Sequence, residues 1–109
     1  MTAPRSPALA LPDAGPGARL FVLATTDAVG AGALAWAEAL GRAGWCHRVR
    51  VVEPAHDAGP GARAEIVAEA LGFGARAIAT EADGPALAIA RDVAVAAGVP
   101  LVSLPRATP

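Results

Sequence analysis

Apolar residues along the chain alternate between two patterns. Short unbroken runs stand between longer stretches in which apolar residues recur every three or four positions. Arg19–Thr25 (RLFVLAT) is an unbroken run, as expected of a strand buried on both faces. From about Val29 to Ala43 the apolar positions Val29, Ala33, Trp36, Ala37 and Leu40 fall at helical spacing, and Gly44 stands where a helix C-terminal glycine belongs. Thr26 and Asp27 precede this stretch and can cap it. Arg48–Glu53 (RVRVVE) is a second strand, stopped by Pro54.

Residues 54–61 (PAHDAGPG) form a loop, and Ala62–Leu71 is a second helix ended by Gly72 and Gly74. Arg76–Thr80 (RAIAT) is a third strand. A third helix follows, with Asp83 as its cap, Pro85 near its first position, Leu87, Ala90, Val93 and Ala94 on its inner face, and Gly98 at its end. Leu101–Leu104 (LVSL) is the last strand.

The order β-α-β-α-β-α-β implies βαβ units and a parallel sheet. Right-handed crossovers then put helices on both faces. The expected architecture is a single three-layer αβα sandwich with a four-stranded parallel sheet in the order 2-1-3-4. In that order the chain direction reverses between strands 1 and 3, as in the common doubly wound folds. Residues 1–18 are rich in Pro, Ala and Gly without a period and read as a flexible leader. Residues 19–105 form the domain, and 106–109 a frayed tail. The segment DAGPGAR occurs twice, at Asp13–Arg19 and Asp57–Arg63, once before a strand and once before a helix, which is coincidence in a Gly/Pro/Ala-biased chain and not a structural repeat.

Composition narrows the function more by exclusion than by indication. All nine basic residues are Arg, and the chain lacks Lys, Asn, Gln and Tyr. That bias, with abundant Ala, Gly and Pro, is what a high-GC genome encodes, so the alanines carry no functional weight. They do thin the core, because Ala buries little area. Net charge is −1 and neither sign runs in a stripe, so neither nucleic acid nor a membrane surface is an expected partner. The longest apolar run falls well short of a membrane span and no signal peptide is legible, which reads as a cytoplasmic protein. Cys46 is the only cysteine and follows Trp45 at a helix–strand junction, where a buried structural thiol is expected.

In an open parallel sheet, ligands bind beyond the carboxyl ends of the strands. The loops there hold Thr25, Thr26, Asp27, Glu53, His56, Asp57, Thr80, Glu81 and Asp83. The best-defined motif is Gly30-Ala-Gly32-Ala-Leu-Ala35, of the form G-x-G-x-x-A, with Glu53 lying 21 residues beyond Gly32 where an acidic group can hold a ribose hydroxyl. With these residues the segment 19–53 resembles the opening βαβ unit of Rossmann dinucleotide-binding domains. The resemblance implies an adenine nucleotide or dinucleotide at the sheet's carboxyl edge, approached by Gly30 and Gly32 and held by Glu53; Thr26, Asp27 and Asp83, in the loops of the same edge, complete the candidate binding set. Four residues, Thr26–Val29, separate the strand from the first glycine, however. If Asp27 caps the helix, Gly30 and Gly32 are packing residues inside it and not a phosphate loop.

Residues 62–97, through Glu69-Ala-Leu-Gly-Phe-Gly-Ala-Arg-Ala-Ile and the helix Leu87-Ala-Ile-Ala-Arg, resemble the beta subunit of electron transfer flavoproteins, in which a similar segment belongs to a nucleotide-binding α/β domain. The same stretch, with Gly98-Val-Pro100, also resembles a half-domain of periplasmic sugar-binding folds.

No complete catalytic constellation is present. A Walker A motif needs a Lys, and one Cys with two His on different elements makes no zinc site. Ser103 lacks the glycines of a nucleophile elbow. The expected function is a small Rossmann-like module binding a nucleotide or similar small ligand at the carboxyl edge. The alternative is a ligand-free interaction domain, a homodimer or accessory module whose thin core is completed by a partner. A small enzyme using Asp27, Glu53 or Asp83 as a base is a third reading.

Overall fold

The computed structural model of the protein describes residues 17–81 and 84–104. The expected leader up to residue 16, the tail and Asp83 lie outside the described residues. Eight elements follow one another: β1 (Arg19–Ala24), α1 (Thr26–Arg42), β2 (Cys46–Val51), a single-turn α2 (Pro54–Asp57), α3 (Pro60–Phe73), β3 (Ala77–Glu81), α4 (Leu87–Ala97) and β4 (Leu101–Leu104). The four strands form one parallel sheet in the order β2-β1-β3-β4.

Strand alternation assigns the two faces. Phe21, Leu23 and Ile78 point to one side, where they pack with Ile66 and Ala70 of α3 and Ile89, Ala90 and Val93 of α4. Leu20, Val22, Ala24, Ala77 and Ala79 point to the other, where Trp36 and Leu40 of α1 cover them. The sheet therefore carries two helices on one face and one on the other. β1 is one of its two inner strands, and Leu20 through Ala24 are all buried, which is why RLFVLA reads as an unbroken apolar run.

Several boundaries move for identifiable reasons. The cap of α1 is Thr25 and not Thr26 or Asp27, so the helix starts three residues before Val29. β1 ends at Ala24, leaving Thr25 extended (φ −77°, ψ 165°) with its Oγ1 accepting from the Ala28 N–H at 3.4 Å. Asp27 lies in the first turn, where its charge complements the helix dipole. β2 starts two residues before Arg48, because its register is set by β1: Arg19 stands opposite Cys46. The loop expected at 54–61 holds α2, begun by Pro54, and Asp57 Oδ2 accepts the Glu53 N–H at 2.7 Å. α4 has Ala86 as its cap, three residues beyond Asp83. The turn from Gly84 to Leu87 (N···O 3.1 Å) leads into it.

Gly44 closes α1 as expected. Its φ of +87° lets the chain reverse, so that Trp45 N–H reaches Leu40 O at 2.9 Å and the Trp45 side chain is buried. Cys46, one residue further on, is exposed at the start of the edge strand β2, so the expected buried thiol is corrected to a surface one. No helix among the described residues is long and apolar enough to cross a membrane.

Candidate functional site

The strand order creates one special place. β1 and β3 are neighbours in the sheet, and the helices that follow them, α1 and α4, lie on opposite faces. The β1–β3 ladder pairs Leu20 with Ala77, Phe21 with Ile78 and Val22 with Ala79, and goes no further, although both strands continue. Where the strands part, the Thr80 hydroxyl donates to Leu23 O at 2.7 Å. Thr80 is the buried polar residue of the described core, and this bond satisfies it.

Just beyond lies a shallow crevice open to solvent. Ala24, Thr25 and Ala28 form one wall, Thr80 and Glu81 its β3 side, and Gly84, Pro85 and Ala86 the other wall. The crevice is shallow, with enclosed room for about one water molecule and the rest open to solvent, so a ligand would lie across its mouth and not inside it. The walls are small and apolar. The polar groups are Thr25, which holds its Oγ1 on the helix it caps, Thr80, whose proton is used on Leu23, and the half-buried Glu81.

The structure disperses the residues that the motif singles out. Thr26 and Asp27 are exposed in the first turn of α1, at the margin of the crevice. Gly30 and Gly32 lie inside α1, not in a loop, so their amides face the helix ladder. A Cβ on Gly32 would come within 2.7 Å of Trp36 Cε2, because the indole lies across that glycine; a Cβ on Gly30 would meet open space. Gly32 is thus a packing residue that lets Trp36 lie flat over the sheet, and the G-x-G-x-x-A spacing does not form a phosphate loop. Glu53 is exposed at the end of β2, on the far side of β1 from the crevice. Asp57 is tied to the Glu53 amide and does not partner His56.

Thr25, Thr80 and Glu81 were legible as carboxyl-edge residues. Ala28 and the Gly84–Ala86 wall were not, since small apolar residues carry no chemical signal in a chain so rich in them.

Charge is divided across the sheet. Asp27, Glu53, Asp57 and Glu81 lie at the carboxyl edge, where the helices begin; Arg19 and Arg48 lie at the opposite edge, where they end. Each sign complements the helix termini it faces. A phosphate at the crevice would meet Asp27 and Glu81 as well as the helix amides, whereas a hydroxyl group could donate to Glu81. Among the described residues, no group of three His, Cys, Asp or Glu side chains is placed to hold a metal ion. The chain matches no protein-family model, and no curated protein is significantly similar to it.

Proposed function

We propose that the protein is a small Rossmann-like binding module that takes the ribose, or a similar hydroxyl-bearing part, of a nucleotide at the β1–β3 crevice. The observation that carries this reading is the position of the crevice: it opens at the carboxyl end of the two strands between which the sheet order reverses, where open α/β sheets bind ligands. Glu81 supplies an acceptor for sugar hydroxyls, and the acidic margin favours the sugar over the phosphates as the part that lies against the crevice. A single cysteine in the chain fits a cytoplasmic setting.

Calorimetric titration with adenosine, AMP and NAD tests this. Binding of adenosine at least as tight as that of AMP is expected, with loss of both in Ala28→Leu, which fills one wall. No measurable affinity for any of the three at millimolar concentration overturns it.

A second reading, a protein-interaction domain, draws on two exposed apolar side chains on the α1 side of the sheet. Leu34 on α1 is 88% exposed and Val51 on β2 is 46% exposed. It requires concentration-dependent association in sedimentation, weakened by Leu34→Ser; a monomer at all concentrations and no partner-dependent gain in stability would rule against it.

A further inference from the structure

Seven arginines fall among the described residues, and they divide into two groups. Arg42, Arg50 and Arg63 each face a carboxylate, on Glu38, Glu69 and Asp92 respectively. Arg19, Arg48, Arg76 and Arg91 form no ion pair with a carboxylate of the described residues. Arg19, Arg48 and Arg76 lie towards the amino edge of the sheet, opposite the crevice, and two of them converge there. The Arg19 and Arg48 guanidinium carbons stand 5.6 and 5.0 Å from the centroid of a single ring, that of Phe73 at the end of α3. The ring is itself seated on Phe21, centroid to centroid 6.2 Å. Arg19 also donates from Nη1 to Phe73 O at 2.8 Å, and the Arg76 N–H donates to Arg19 O at 2.8 Å.

The three arginines thus stand on neighbouring chains of the sheet, Arg48 on β2 opposite Phe21, Arg19 on β1 and Arg76 just before β3, and two of them face one aromatic ring. Holding like charges together on a surface without a counter-charge is unfavourable unless something anionic joins them. Glu69 of α3 and Asp92 of α4 are already engaged by Arg50 and Arg63. All three arginines are exposed.

We propose that this edge, Arg48–Arg19–Arg76 around Phe73, is a docking surface for an acidic polypeptide segment of a partner. Neighbouring strands lie about 4.8 Å apart, so the row spans roughly 10 Å, more than one phosphate group bridges. Carboxylates on alternate residues of an extended chain are about 6.6 Å apart, so two or three of them fit that span. Guanidinium forks match carboxylates in pairs of parallel hydrogen bonds, and Arg is the cation favoured at such interfaces. The surface is independent of the crevice and of the nucleotide reading.

The experiment is a titration of the ¹⁵N-labelled full chain with a hexaglutamate peptide, with pyrophosphate as a second probe. Amide shifts are expected at residues 19, 48 and 73–76, shrinking as salt is raised. Arg48→Ala/Arg76→Ala weakens the peptide at least tenfold, while Arg91→Ala, which removes an unpaired arginine elsewhere, changes it less than twofold. If the double variant does not fold, Arg76→Ala alone is expected to weaken the peptide severalfold. The proposal is overturned if the peptide leaves these amides unmoved, if Arg91→Ala weakens it as much as the cluster variants do, or if pyrophosphate binds there as tightly as the peptide, which would make it a phosphate site.

Discussion

The hydroxyl of Thr80 on β3 reaches across to the carbonyl of Leu23 on β1, 2.7 Å away and fully buried, at the point where the ladder between the two strands has ended. A side chain there continues a connection that the backbones no longer make, and it holds the floor of the crevice closed. Thr80→Val keeps the shape and removes the donor. It is expected to cost about 1–3 kcal/mol, the range for stranding a buried polar group. Thr80→Ser, which keeps the hydroxyl, should cost less. Urea unfolding of the two variants checks this; equal losses would mean that the methyl group matters and the hydrogen bond does not.

Gly30 and Gly32 separate by two substitutions. Gly30→Ala adds a Cβ in open space within a helix and is expected to stabilise by about 0.5–1 kcal/mol. Gly32→Ala drives a Cβ against the Trp36 ring and should destabilise despite the same gain in propensity. Thermal unfolding reads both. If the glycines instead formed a phosphate loop, both changes would reduce nucleotide affinity and neither would follow this stability pattern.

Trp36 is 1% exposed and is the largest fully buried side chain on the α1 side of the sheet, among neighbours that are mostly Ala, Leu and Val. Trp36→Ala is expected to lose about 3–5 kcal/mol. In a domain with so thin a core, that abolishes cooperative unfolding at 37 °C. Circular dichroism melts decide it: a cooperative transition close to wild type would show that the core does not depend on this residue.

Arg50 on the edge strand β2 pairs with Glu69 on α3, and both side chains keep about a quarter to a third of their exposure. The pair ties the edge strand to the helix layer, but screening keeps its worth low. A double-mutant cycle of Arg50→Ala and Glu69→Ala should give a coupling of about 1 kcal/mol or less, falling with salt. A coupling that does not respond to salt would contradict a mainly electrostatic origin.

The sequence by itself determined the local layer of this protein. RLFVLA could only be an interior strand, since five successive apolar residues need cover on both faces, and Gly44, Gly98 and Pro100 marked helix ends through backbone geometry that neighbours scarcely alter. Alternating strands and helices then pointed to a parallel α/β sheet, and the order 2-1-3-4, expected because it is the common doubly wound arrangement, is the one observed. Tertiary structure decided the rest, because it depends on distances between segments remote in the chain. Whether Gly32 served a phosphate or a tryptophan turned on where β1 stopped and Thr25 took the cap, a matter of one residue. The start of β2 was set by its register with Arg19 and not by its own residues. The crevice walls are alanines, glycine and proline whose meaning lies only in their position, and the convergence of Arg19 and Arg48 on Phe73 joins segments more than 20 residues apart. Hydrophobic periodicity is a local property and survives in the sequence; the meeting of side chains across a sheet is not local, and only the folded chain contains it.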